Sequence, residues 1–192
     1  PHLDKTLDLP YNGGFGQALT YDATSQSFFV SGLSGYSTAF NPAIEVIQRF
    51  SLEGIALQEM QPEWGEVSVM LPASNGELWS GYKSGDITIR DIDSGLITDR
   101  FSAHQGKVTD IKQINPHTMA TASNDGSVKL WRTDITSGRF SHPSLNMLFK
   151  VFIEPDMAKR WPKLIATIVV DQDGEYVVNL PDGYYSATPK AL

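Results

Sequence analysis

Cysteine is absent from the 192 residues, and its absence removes disulfides, thiolate nucleophiles and most structural zinc sites together. A chain without Cys suits an oxidising periplasm slightly better than a reducing cytosol, and nothing else in the sequence points to a compartment. Histidine is scarce. The four copies, at 2, 104, 117 and 142, form no H-x-x-x-H or similar ligand spacing, so neither a metal nor a cofactor is expected. Positive charge is also short, with 15 Lys and Arg against 22 Asp and Glu, which gives a formal net charge of -7. A phosphate backbone meets repulsion on average, no basic run offsets it, and nucleic acid is excluded as a partner. Long apolar runs are missing as well. No stretch reaches the roughly 18 residues that span a bilayer, and Pro1-His2-Leu3-Asp4-Lys5 lacks the layout of a signal peptide. The chain opens and closes without caps or tails, and a fragment of a longer product is expected.

What is present is ordinary for a globular domain: 41% hydrophobic and 19% charged residues. Apolar residues alternate with polar ones between Gly, Asn and Asp turns, the pattern of short antiparallel strands. Turn pairs stand at Asn75-Gly76, Ser84-Gly85, Ser94-Gly95, Asp125-Gly126, Asp173-Gly174 and Asp182-Gly183. Helical pattern is confined to a short segment at Asp156 to Arg160, within a Pro-containing connection from Arg132 to Trp161.

Residues 63–91 lie over 104–132 at a constant offset of 41. Gly65 falls on Gly106, Val67 on Val108, Ser80 on Thr121, Gly85 on Gly126, Ile87 on Val128 and Ile89 on Leu130. Each unit reads as strand a (Val67 to Leu71; Val108 to Gln113), strand b (Glu77 to Tyr82; Thr118 to Ser123) and strand c (Ile87 to Asp91; Val128 to Arg132). An outer strand follows the first at Leu96 to Phe101. Upstream, Phe28-Phe29-Val30-Ser31-Gly32 echoes Glu77-Leu78-Trp79-Ser80-Gly81, with a long insert at 33–42 before the next strand. Downstream, Leu164 to Val170 and Glu175 to Asn179 form a hairpin across Asp173-Gly174. A period near 41 residues with four strands each is that of a β-propeller blade. The expected fold is all-β, a single propeller segment with approximate units 12–61, 62–102, 103–145 and 146–192.

The third unit, His104 … Thr121-Ala122-Ser123-Asn124-Asp125-Gly126-Ser127-Val128-Lys129-Leu130-Trp131, resembles a WD repeat. The resemblance implies a structural hydrogen-bonded tetrad of His104, Thr121 or Ser123, Asp125 and Trp131. A buried imidazole or indole N–H without an acceptor costs on the order of 1–3 kcal/mol. Glu63, Ser84 and Arg90 stand where the neighbouring unit would carry His, Asp and Trp, so only one copy is complete. The end of the chain, Ile168 to Val178 and Pro181 to Pro189, is similar to a segment of bacterial WD-repeat proteins, some of which carry a caspase-like peptidase domain. No Cys–His pair exists here, so any peptidase would lie outside this chain.

Other motifs fail. Asp171-Gln172-Asp173-Gly174 lacks the further ligands of a calcium loop, Ser34 is followed by Gly35-Tyr36 rather than x-Gly, and Gly14-Phe15-Gly16 lacks the third Gly of a phosphate cradle. What remains is a surface where d-to-a and b-to-c loops converge, onto which Trp64, Tyr82, Lys83, Gln105 and Asn124 map. The leading expectation is therefore a non-catalytic scaffold that binds a protein or peptide. The rivals are a propeller hydrolase using Glu63, Glu66 and Asp86, and a regulatory portion of a caspase-like peptidase. About four blades fall short of the roughly seven that close a WD-type ring, so a second copy or the missing blades are expected to cover the ends.

Overall fold

The computed structural model describes residues 16–34, 44–60, 65–133 and 162–188, in which every regular element is a β-strand. The strands form three antiparallel sheets. The first blade is β1 (Gly16–Asp22), β2 (Ser27–Ser34), β3 (Ile44–Ser51) and β4 (Ala56–Glu59). The second is β5 (Val67–Pro72), β6 (Glu77–Tyr82), β7 (Asp86–Asp91) and β8 (Ile97–Ser102). The third begins with β9 (Val108–Asn115), β10 (Thr118–Ser123) and β11 (Ser127–Arg132), then continues through β12 (Lys163–Val170), β13 (Tyr176–Asn179) and β14 (Tyr185–Ala187). The six turn pairs read from the sequence all join hydrogen-bonded neighbours. The two b strands of the repeat match their expected bounds, and the a, c and outer strands differ only by a residue or two at their ends.

Two expectations need correction. The described strands after the third unit extend its sheet and do not form a separate fourth one, because β12 pairs directly with β11 (Val128 with Ile168, Leu130 with Ala166) and β13 and β14 add outside it. Among the described residues β12 is the strand that takes the outer edge of β11, and an open strand edge is a template for whichever strand can reach it. The second correction is a slip in the first blade. Its turn aligns Ser27 with Glu77, so Phe28, Phe29 and Val30 correspond to Leu78, Trp79 and Ser80, one residue away from the sequence echo. A one-residue slip moves every side chain to the other face of its sheet. The insert at 35–42 and the segment 156–160 lie outside the described residues.

Inner strands β1, β5 and β9 pack against one another in succession, so each sheet has a leading face toward the preceding blade and a trailing face toward the next. At the first seam, Phe29, Ile47 and Met60 meet Met70, Leu78 and Tyr82. At the second, Trp79, Ile87 and Ile89 meet Val108, Ile111, Met119 and Trp131. Full burial of each such side chain is worth about 1.5–3 kcal/mol, so the seams dominate the stability of the stack. Polar ties fix their register: the Ser68 hydroxyl donates to the Val108 carbonyl at 2.6 Å, and the Val67 N–H donates to Glu45 Oε1 at 2.9 Å.

Candidate functional site

The turn between β10 and β11 places Asp125 where both its oxygens find donors. Oδ1 accepts from the Ser127 N–H at 2.9 Å and its hydroxyl at 2.7 Å, and Oδ2 accepts from the Gln105 N–H at 3.0 Å. His104, on the connection from β8 to β9, sets Nδ1 3.0 Å from Asp125 Oδ2 and Nε2 2.8 Å from Thr121 Oγ1. The Trp131 indole N–H donates to that same Thr121 oxygen at 2.9 Å. Because Thr121 Oγ1 accepts from the indole, its own hydrogen is directed to Nε2, and Nδ1 carries the imidazole proton. The four side chains thus satisfy one another as a neutral histidine requires. Burial holds His104 below its usual value against the upward pull of Asp125. Burial pushes Asp125 up, but hydrogen bonds from Ser127, Gln105 and His104 outweigh it and keep the carboxyl well below the usual range.

Hydroxyl, imidazole and carboxylate in line have the order of a nucleophilic triad, yet this arrangement cannot act as one. Thr121 and His104 are 1% and 3% exposed, and the hydroxyl oxygen already holds the indole donor. Of the two hydroxyls the sequence left open, Thr121 is the member. Ser123 instead donates to the Gly106 carbonyl at 2.9 Å and caps the Asp125 N–H at 3.1 Å.

The same leading-face position is filled differently in each blade. Phe50, Arg90 and Trp131 are equivalent by pairing with Phe28, Leu78 and Met119. Phe50 stacks on Phe28 at 5.6 Å between ring centroids. Arg90, 1% exposed, donates from Nη1 to Thr88 at 2.9 Å and Ser80 at 3.3 Å, and from Nη2 to the Tyr82 hydroxyl at 3.4 Å. A buried guanidinium therefore replaces the tetrad in the second blade.

The candidate binding residues separate. Lys83, Gln105 and Asn124 are exposed on the loop face, where Lys83 N–H donates to Glu66 O and Asn124 N–H to Lys107 O across the same repeat position. Tyr82 is not among them. It is 1% exposed, because it follows Leu78 and Ser80 in the alternation of β6 and points into the first seam. That alternation was the available signal. Trp64 and Glu63 lie outside the described residues. The other proposed carboxylates face cations: Glu66 pairs with Lys83, and Asp86 with Arg100 at 2.8 Å. Glu45 escaped the sequence reading. It is buried at the first seam with Oε2 lacking a hydrogen-bond partner among the described residues, and burial, reinforced by nearby Glu66, pushes it up to about 7.

No protein-family model matches the chain, and no curated protein matches it. Solved structures do. The chain is similar to the crystal structure of RRP9 WD40 repeats, with a TM-score of 0.54 and 16% identity over 92% of this chain and 51% of that one. It is also similar to the structure of U3-55K, with a TM-score of 0.55 and 16% identity over 92% of this chain and 52% of that one. A chain of a mitotic checkpoint complex gives 0.56 and 13% over 91% and 52%. At these identities the likeness is one of fold. The chain spans about half the length of the structures it matches. No helix among the described residues is long and apolar enough to cross a membrane.

Proposed function

From the premise that this chain folds as part of a WD40-type propeller, we propose that it is a non-catalytic interaction module. Its loop face, around Lys83, Gln105 and Asn124, receives a protein or peptide. The observation that carries this reading is the sealed tetrad: the hydroxyl–imidazole–carboxylate series found among the described residues is spent inside a blade seam. The exposed loop residues are polar and reach solvent, as a specificity rim requires. Ion pairing of Glu66 and Asp86 argues against their use as general acid and base. The resemblance of the last strands to bacterial WD-repeat proteins supports a place in a larger protein of that kind.

Affinity capture with the chain and with its K83E/Q105A/N124A variant tests the reading. Proteins retained by the wild type and lost by the variant, at equal thermal stability, are the expected result. Turnover of glycoside, ester or peptide substrates that falls in an E66Q/D86N variant would contradict it.

A further inference from the structure

The sheet of the third blade is wider than either sheet before it, and it ends on β14. The Leu180 N–H donates to the Tyr184 carbonyl at 2.8 Å and the Thr188 N–H to the Tyr176 carbonyl at 3.1 Å, with Val178 opposite Ser186 between them. Hydrogen-bonded and non-hydrogen-bonded pairs alternate along an antiparallel ladder, so Val177 with Ala187 and Asn179 with Tyr185 are the pairs that exchange no backbone bonds. The N–H and C=O groups of Tyr185 and Ala187 therefore point away from β13. Among the described residues no strand receives them.

The other outer strands carry charge: β4 ends on Glu59, and β8 contains Asp99 and Arg100. Such charges keep a sheet edge from pairing with a foreign strand. From Tyr184 to Thr188 the third sheet has neither charge nor proline. Instead Tyr184 and Tyr185, successive residues and so on opposite faces, are 73% and 63% exposed. Free donors and acceptors flanked by aromatic side chains on both faces are what a peptide needs to add as one more strand.

Charge says which peptide. Residues 163–188 contain Asp171, Asp173, Glu175 and Asp182 against Lys163 alone. Asp171, Asp173 and Glu175 stand on the turn from β12 to β13, at the end of the sheet where Thr188 meets Tyr176. Asp171 Oδ1 braces that turn by accepting the Asp173 and Glu175 N–H groups, both at 2.9 Å, and Asp173 is exposed at its tip. A second copy pairing edge to edge sets Asp173 and Glu175 of each molecule beside Asp182 of the other, like charge against like, between chains of formal net charge -7.

We propose that the open edge of β14 binds an extended basic peptide of a partner protein, which adds antiparallel as a further strand with lysine or arginine at its N-terminal end beside Asp173 and Glu175. This edge lies three strands outside β11, and the proposal stands whether or not the loop face binds a protein.

Fluorescence anisotropy on the folded chain tests it with a short peptide labelled at its C-terminus, lysines at its N-terminal end and alternating valine and threonine behind. Saturable binding that weakens with added salt is expected. Ala187→Pro removes a donor at the free edge and breaks no bond to β13, a place where a strand tolerates proline. At unchanged thermal stability it is expected to weaken binding about tenfold. Methylating two adjacent central amides of the peptide blocks whichever of them faces the edge, so a loss of the same size is expected there with the protein unaltered. D173K/E175K is expected to remove the preference for this peptide over one with glutamate in place of lysine. Absence of saturable binding, binding indifferent to amide methylation or to a folded Ala187→Pro chain, or a lysine preference that survives D173K/E175K would overturn the proposal. So would a wild-type dimer that Ala187→Pro dissolves, since the edge would then belong to a second copy.

Discussion

The imidazole of His104 meets oxygen at both nitrogens, and its loss orphans Thr121 and Asp125 at once. His104→Ala is expected to lower stability by about 1–3 kcal/mol, read as a fall in urea midpoint at pH 7. Its acid dependence has a definite sign. Because His104 lies below 6.5 in the fold, the unfolded chain takes up the proton first, and stability falls as the pH drops below 6.5. Asp125, held below 3.8, adds a second loss as the pH falls below that value. Glu45 acts in the opposite direction. Raised from 4.5 to about 7, it stabilises fully below 4.5, and that contribution is lost as the pH rises through 7. Glu45→Gln keeps an acceptor for the Val67 N–H and cannot ionise, so its midpoint is expected to fall less than the wild type's between pH 5 and pH 8. An equal fall in both proteins would remove Glu45 from the account. The tetrad was legible because its residue types are chemically specific. Glu45 and Tyr82 were not, since which side of a seam a residue occupies depends on the blade beside it.

At the scale of elements, the turn between β6 and β7 supports the next blade as well as its own. Gly85 has φ +91, and its carbonyl accepts the N–H groups of Ala103 at 3.2 Å and His104 at 2.9 Å. A Cβ at Gly85 would collide with the His104 carbonyl oxygen, and the positive φ adds strain of its own. Gly126, at the equivalent turn, has φ +84 and open space around it. Gly85→Ala is therefore expected to cost clearly more than Gly126→Ala, by about 1–3 kcal/mol in chemical denaturation. Equal costs would mean that the turn does not brace His104. Elements were the most legible level of the sequence. Strands β6 and β10 are bounded by turn residues whose chemistry is local, whereas the register of the first blade is set by a turn one residue longer, which no residue type announces.

For the whole molecule, repetition in the sequence gave the architecture but not the blade count. Length divided by the period suggests about four units, yet the last strands extend the third sheet, leaving one apolar leading face and one partly charged trailing face at the ends of the stack. No periodicity could show this, because the strand that completes the third sheet comes about thirty residues after β11 rather than directly behind it. The three-blade arrangement rests on the pairing of β12 with β11, and the absence of native cysteine makes that pairing open to a direct cross-linking test. Val128 and Ile168 are direct antiparallel partners, and paired Cα atoms about 4.5–5.5 Å apart suit a disulfide. Val128 and Val178 sit two strands apart, about 10 Å, beyond its reach. Under mild oxidation of the folded chain, V128C/I168C is predicted to close a disulfide that raises the denaturant midpoint, while V128C/V178C stays reduced. A folded V128C/I168C chain that keeps both thiols free would contradict the arrangement.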